Sequence, residues 1–338
     1  MFLANTVNAP SNDGPLLSVE GLTTVFTLAG GREAAAVSDV SFAVRRGETL
    51  CLVGESGSGK SVTALSIIRL VQPPGRITAG RVMFEGEDLL KIPERAMERV
   101  RGRRIGFVFQ EPMIALDPVY TVGYQIRETL EVHGLAKGAA AKRRVVELLD
   151  AVRVPEPQRR AAEYPHQLSG GLRQRAMIAL AIAAEPALVI ADEPTTALDV
   201  TVQAEILDLL RDMRRQFSLS LLLITHDLGV VAEMADDVAV MYGGRIVERA
   251  PVSALLDTPN HPYTRGLLAC LPGRSGAGRL IDIPGTVPPL GQLPAGCAFA
   301  PRCAECEPAC EAAVPALIDL TPDHSSRCIH AVPGGGRR

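Results

Sequence analysis

The eight residues GESGSGKS, at positions 54–61, constrain the fold more strongly than any other part of the chain. The apolar run TLCLVG leads into them, and SVTALSIIRLV after them has the apolar spacing of an α-helix. A glycine-rich turn between a strand and a helix lets backbone N–H groups point at an anion, and the helix N-terminus adds a favourable dipole. A chance glycine-rich turn is the alternative, and the flanking strand and helix argue against it. The segment therefore predicts a phosphate-binding loop.

Two residues of this loop have distinct predicted roles. Lys60 reaches the β- and γ-phosphates of a nucleotide, and the hydroxyl of Ser61 holds Mg²⁺. The residues predicted to surround the nucleotide are Gly54, Glu55, Ser56, Gly57, Ser58, Gly59, Lys60, Ser61 and Val62.

The run ALVIADEP supplies a carboxylate pair at the end of a second apolar strand. Asp192 is expected to contact the metal shell, and Glu193 to orient or deprotonate an attacking water, because phosphoryl transfer depends on positioning and charge neutralisation. Two solvated residues at a strand end are the alternative reading of this pair. The phosphate-binding loop upstream favours the catalytic reading.

Composition narrows the class of protein. The chain has 338 residues, 47% of them hydrophobic, and its net charge of −3 does not indicate nucleic acid as a partner. The amino terminus lacks the pattern of a signal peptide. The most apolar stretch, 176–191, is interrupted by Glu185 and Pro186, so it falls short of the ~18 apolar residues of a membrane span. We expect a soluble, cytosolic chain.

The patterns along the chain predict an α/β fold with several parts. Residues 1–14 are expected to form a flexible tail, and 15–250 a nucleotide-binding domain with an antiparallel β layer near its start. The segment of about 111–168 reads as a helical subdomain inserted in that domain. Residues 251–338 are rich in Pro, Gly and Cys and are expected to form a small irregular domain.

Further motifs make the chain similar to the ABC ATPase family. They are FVFQEP, LSGGLRQR, TALD and ITHD, which follow the phosphate loop in the family's order. The resemblance implies a RecA-like ATPase core that binds ATP and Mg²⁺ and hydrolyses ATP between two such domains. The residues it adds are Gln110 (γ-phosphate sensing and Mg²⁺), Ser169, Gly170 and Gly171 (the partner subunit's ATP), Asp199 (the dimer interface), His226 (a catalytic switch) and Phe26 (adenine stacking).

Longer motifs, including YPHQLSGGLRQR, HPYTRGLL and the tail sequence GCAFAPRC, resemble ATPase subunits of dipeptide and oligopeptide importers. That resemblance implies two transmembrane permease subunits, a second and related ATPase subunit, and an external substrate-binding protein. It places the chain on the cytoplasmic side of the cell membrane and the permease-docking groove within about 111–168. Import of nickel or glutathione, a non-transport ABC ATPase, and a regulatory module without turnover are the alternatives.

Five of the seven cysteines lie within residues 297–328, which in a cytosolic protein indicates a metal site. The spacing of Cys297, Cys303, Cys310 and Cys328 resembles that of importer ATPases with a [4Fe–4S] cluster, which requires four thiolates. Cys306 gives shorter, zinc-like spacings with its neighbours, so zinc remains an alternative, as do unligated thiols.

Overall fold

The computed structural model describes residues 14–270 and 283–334, and the backbone of 336–337. The predicted flexible tail lies outside the described residues, except for residue 14. Within the described ranges the chain forms two large β-sheets with helices around them.

Five strands in parallel register form the centre of the larger sheet. Their order in space is β6, β7, β8, β3 and β9, and each pairs only with parallel neighbours within this group. Nearly all of their side chains are buried, as expected when both faces of a parallel sheet are covered. The strands are β3 (Thr49–Val53), β6 (Ile105–Val108), β7 (Leu188–Asp192), β8 (Ser220–Thr225) and β9 (Asp237–Tyr242).

Three antiparallel strands extend this sheet beyond β9. The strand β10 (Arg245–Pro251) forms a hairpin with β9, and the C-terminal strands β11 (Ile318–Thr321) and β12 (His324–Ser326) follow at the edge. The C-terminal region is therefore joined to the parallel core by backbone hydrogen bonds. The resulting sheet has eight strands among the described residues.

The smaller sheet is the antiparallel layer expected near the amino terminus. Buried residues on it, such as Leu22 and Phe84, share one apolar cluster with Leu52 and Ile224 of the parallel core, so the two sheets pack together. This arrangement confirms an α/β core with mixed sheets. The strands of this layer are β1 (Leu17–Thr27), β2 (Glu33–Val44), β4 (Gly75–Phe84) and β5 (Glu87–Asp88).

Helices cover the remaining surfaces of the parallel core, and the third to the sixth arise from the stretch of about 111–168 that was predicted to be helical. None of the helices in the described ranges has the length and apolar character that crossing a bilayer requires. The helices are α1 (Lys60–Ile67), α2 (Glu94–Val100), α3 (Pro112–Ala115), α4 (Val122–Val132), α5 (Gly138–Ala151), α6 (Pro157–Ala161), α7 (Gly170–Ile182), α8 (Val200–Phe217), α9 (Leu228–Met234), α10 (Val252–Asp257), α11 (Pro262–Ala269) and α12 (Pro308–Ala312).

The buried carboxylate of Glu248 joins three elements. Glu248 has no exposure to solvent and lies on β10. Its two oxygens accept hydrogen bonds from the backbone N–H groups of Asn260 (2.6 Å) and His261 (2.8 Å), just before α11. Nε2 of His324, the first residue of β12, lies 2.8 Å from the same carboxylate. Glu248 thus connects β10, α11 and β12.

We expect Glu248→Ala to lower the free energy of unfolding by about 3–5 kcal/mol, because it leaves the surrounding donors buried without an acceptor. Urea denaturation followed by circular dichroism measures the change. The control is Glu98→Ala, at an exposed position of α2, which should change stability by less than ~0.5 kcal/mol. A loss at Glu248 as small as that at Glu98 would contradict the role of this carboxylate.

Candidate functional site

The predicted phosphate-binding loop lies between β3 and α1, and its glycines are required by space. A Cβ atom at Gly59 would lie 2.5 Å from the carbonyl oxygen of Ala36, at a left-handed φ of 102°. A Cβ atom at Gly54 would overlap the carbonyl oxygen of Met241. The loop can therefore approach its neighbours closely only with glycine at these two positions.

Lys60 directs its ammonium group into this loop. Its Nζ donates hydrogen bonds to the carbonyl oxygens of Gly54 (2.8 Å) and Glu55 (3.0 Å), and the side chain is only 4% exposed. Burial lowers the pKa of Lys60, while the nearby carboxylates of Glu193, Asp192 and Glu55 oppose that shift. A buried cation at the start of a helix is the arrangement that receives phosphate groups.

Ser61 and Asp192 form the pair predicted to hold Mg²⁺. The Ser61 hydroxyl donates to Oδ1 of Asp192 at 3.0 Å, although the two residues are 131 positions apart. Burial raises the pKa of Asp192 to about 6; the hydrogen bond from Ser61 opposes this rise and the charge of Glu193 adds to it. Hydroxyl and carboxylate oxygens are suitable ligands for Mg²⁺, so the donor set fits this ion.

Glu193 follows β7 directly and accepts contacts from three sides. Its Oε2 atom accepts hydrogen bonds from Nε2 of Gln110 (3.3 Å) and from the hydroxyl of Thr196 (2.8 Å). Nδ1 of His226 lies 3.2 Å from the same oxygen. The three predicted catalytic residues therefore meet at one carboxylate oxygen. Sequence analysis missed Thr196, whose position three residues after Glu193 was its only signal.

The phosphate loop, Gln110 and Glu193 border a pocket of about 420 Å³. Its lining includes loop residues 56–62, Gln110 and Glu193, and also the predicted adenine-stacking residue Phe26. The C-terminal region also contributes to the lining, through residues 287–290 and Leu293. Sequence analysis did not anticipate this contribution.

The motif predicted to act on a partner subunit lies apart from this pocket. Ser169 caps α7 and accepts a hydrogen bond from the backbone of Leu172 at 3.4 Å, while Asp199 caps α8. Neither residue, nor Gly170 or Gly171, is among the described residues that line the pocket. One chain therefore brings the loop, Gln110, Asp192, Glu193 and His226 together and leaves these four elsewhere.

The four predicted cluster ligands line one small cavity. Cys297, Cys303, Cys310 and Cys328 all contact it, whereas Cys306 does not. Burial raises the pKa of Cys303 to about 11, and weaker effects of neighbouring groups modify that rise. Across residues 14–270 and 283–334, no group of three or more His, Cys, Asp or Glu side chains is placed to hold a metal ion. The zinc and [4Fe–4S] predictions are therefore not supported by the placement of these sulfurs.

Two residues of the C-terminal region contact the phosphate loop and were missed in the sequence. The backbone N–H of Glu55 donates to the hydroxyl oxygen of Tyr263 at 2.8 Å. Nη1 of Arg302 donates to both carboxylate oxygens of Glu55, each at 3.0 Å, and the Arg302 side chain is 5% exposed. Both residues belong to motifs, HPYT and APRC, that gave no local indication of a contact with the loop.

Two family models match the chain. A model described as ABC transporter matches residues 37–196. A second, described as oligopeptide/dipeptide transporter, C-terminal region, matches residues 247–310. The matches include the phosphate loop and the region that supplies Tyr263 and Arg302.

Curated relatives match nearly the whole chain. A protein of Brucella ovis, provisionally named a peptide import ATP-binding protein, is 53% identical over 93% of this chain and 97% of its own length. A protein of Brucella melitensis with the same provisional name is 49% identical over 94% of this chain and 96% of its own length.

Solved structures of ATP-binding cassettes share the fold. A dimeric cassette in a post-hydrolysis state, bound to ADP and phosphate, superposes with a TM-score of 0.63 at 27% identity, covering 70% of this chain and 98% of its own. The cbiO1 component of an ABC transporter complex from Clostridium perfringens gives a TM-score of 0.60 at 25% identity, covering 71% of this chain and 90% of its own. The α/β core therefore has the cassette fold.

We expect the Arg302–Glu55 pair to stabilise the protein measurably, because its guanidinium is buried and binds both carboxylate oxygens. A double-mutant cycle with Arg302→Ala and Glu55→Ala should give a coupling energy of about 1–3 kcal/mol in the free energy of unfolding. Urea denaturation of the four proteins measures it.

The control cycle uses Arg76→Ala and Glu33→Ala. This pair is also in hydrogen-bond contact, at 2.6 Å, but its side chains are 51% and 50% exposed. Its coupling should be below ~1 kcal/mol. Equal coupling in the two cycles would show that burial of the Arg302–Glu55 pair adds nothing.

Proposed function

Because this chain belongs to the ABC transporter ATP-binding family, we propose that it is the ATP-hydrolysing subunit of an importer that takes up di- and oligopeptides. The observation that carries the proposal is one pocket lined by a phosphate loop and by Glu193, whose carboxylate Gln110 and His226 contact, with Asp192 hydrogen-bonded to Ser61 of the loop. The peptide substrate is supported by the names of the Brucella relatives and by the match at residues 247–310.

The residues of the pocket divide the work of phosphoryl transfer. Lys60 and the loop amides bind the β- and γ-phosphates of ATP, and Ser61, Asp192 and Gln110 hold Mg²⁺, which neutralises charge on the phosphates when bound. Glu193 orients and deprotonates the attacking water. His226 and Gln110 hold the Glu193 carboxylate in position through their contacts with Oε2.

A second ATPase subunit completes the site. Ser169, Gly170 and Gly171 lie at the start of α7, outside the pocket of their own chain, so they are available to contact ATP held by a partner. Asp199, at the start of α8, lies at the interface in this arrangement. We favour a related but different chain as the partner, as the importer resemblance implies. The dimeric state of one matched cassette supports pairing.

The permease subunits would dock on the segment 111–168. The start of this segment exposes four apolar or aromatic side chains, of which Ile114 is 78% and Val119 69% exposed. Exposed apolar side chains close together in sequence are typical of an interaction surface. The segment directly follows Gln110, which contacts Glu193, so docking and hydrolysis share a connection. The four exposed residues are Met113, Ile114, Val119 and Tyr120.

This assembly sets the domain roles and the location. Residues 15–250 act as the nucleotide-binding domain, and 251–338 as the importer-type C-terminal domain. The chain sits on the cytoplasmic side of the membrane, against two permease subunits. These receive the peptide substrate from an external substrate-binding protein.

We also propose a [4Fe–4S] cluster at Cys297, Cys303, Cys310 and Cys328. The donor chemistry fits, since these four thiols line one cavity and four thiolates are what a cubane cluster requires. The cavity holds only about 10 Å³, roughly the room of one water, so the surrounding loops must separate to admit a cluster. Cys306 lies outside the cavity lining and is not a ligand in this proposal.

Glu193→Gln should leave ATP binding intact and lower turnover at least ~100-fold, because the phosphate ligands remain and only water activation is lost. Nucleotide titration and phosphate release at saturating ATP measure the two effects. The same substitution at exposed Glu98 is the control and should leave both unchanged. Near wild-type hydrolysis by Glu193→Gln would rule out this residue as the catalytic base.

The cluster proposal predicts that protein purified without oxygen is brown and contains near-stoichiometric iron and sulfide. Cys310→Ser should bleach it and remove the iron, because one of four ligands is lost. Cys306→Ser is the matched control and should keep colour and iron content. Colourless protein with one zinc that depends on Cys306 would overturn the cluster and favour the zinc alternative.

A further inference from the structure

The lining of the nucleotide pocket includes six apolar side chains, which two distant parts of the chain contribute. Phe26 comes from β1, and the C-terminal region adds Val287, Pro288, Pro289, Leu290 and Leu293. None of these six side chains carries a hydrogen-bonding group. The polar part of the pocket is formed by loop residues 56–62, Gln110 and Glu193, which the phosphates require.

We propose that the segment 287–293 forms, together with Phe26, an apolar slot for the purine base of the nucleotide. The inference rests on the proposed function, in which ATP occupies this pocket. A planar base is bound through apolar contact and dispersion when aromatic and aliphatic side chains line its site. Once the phosphates are at Lys60 and Ser61, the apolar side chains of the same pocket are the part of its lining left for the base.

Arg302 holds the residues that lead into the segment. This side chain donates hydrogen bonds to the carbonyl oxygens of Pro284 (2.8 Å) and Ile283 (3.2 Å) and also to Glu55 of the phosphate loop. The same guanidinium therefore binds the phosphate loop and the residues that lead into the segment. The wall for the base and the loop for the phosphates should keep a constant spacing.

Close packing holds the rest of the segment. A Cβ atom at Gly291, where φ is +85°, would lie 2.6 Å from Cδ1 of Leu28, just after β1. Gly243 lies in the turn between β9 and β10, and a Cβ atom there would lie 3.1 Å from Cδ2 of Leu293. The segment thus contacts Leu28, two residues after Phe26, and the turn between β9 and β10. These contacts make it a preformed wall.

The test uses Leu290→Ala in the full chain. Leu290 is 38% exposed, so the substitution should cost little stability while removing most of the side chain that faces the base. Titration of ATP in the presence of Mg²⁺ should show binding weakened about three- to tenfold, as expected for the loss of one apolar contact. Titration of inorganic tripolyphosphate, which has no base, should be unchanged.

Two further variants make the result specific. Leu90→Ala removes a half-buried leucine that is outside the pocket, and it should leave both affinities unchanged. Lys60→Ala should weaken ATP and tripolyphosphate alike, because it removes the charge that holds the phosphates.

The outcomes separate the slot from the proposed function. If wild-type protein binds ATP and Leu290→Ala binds it equally well, the segment is not a wall of the base site. Equal weakening of ATP and tripolyphosphate by Leu290→Ala would also overturn the slot, because the effect would not depend on the base. Failure of the wild-type protein to bind ATP at all would instead contradict the proposed function.

Discussion

A carboxylate removed from water needs hydrogen-bond donors close to its oxygens. The carboxylate of Glu248 has three such partners: the backbone N–H groups of Asn260 and His261, and the ring of His324. This requirement fixes where α11 begins and where β12 pairs. Because α11 starts there, the hydroxyl of Tyr263 lies against the backbone of Glu55. A buried carboxylate on β10 thus positions, through α11, the tyrosine that supports the phosphate loop.

The loop itself combines charges that would be costly alone. Lys60 is buried beside Asp192 and Glu193, and burial shifts the pKa of Lys60 down and that of Asp192 up, in each case against the charged form. The opposite charges around them limit both shifts. Arg302 adds a second cation at Glu55, where it also contacts the hydroxyl of Tyr242 at the end of β9. The site therefore combines two cations, Lys60 and Arg302, with three carboxylates, and a nucleotide and its metal would add further pairs.

Local patterns predicted the phosphate loop and the parallel strands β3 and β7, because each is continuous in sequence. Motif order singled out Gln110 and His226, and the structure has both beside Glu193, since each follows a strand whose end lies at the same edge of the sheet. Arg302 could not be predicted in this way, because 247 residues separate it from Glu55. The same holds for β12, since a strand of three residues is too short to show an alternating pattern.

The pairing of β10 with β12 has a consequence for synthesis on the ribosome. Strand β10 is the outer strand of the core sheet until β12 pairs with it, and an unpaired outer strand can pair with other chains. Translation at about 5–20 residues per second leaves that edge open for some seconds after β10 has emerged. The charged residues Glu248 and Arg249 on β10 would discourage wrong pairing during this interval. The region that supports the phosphate loop thus also covers the β10 edge of the core sheet.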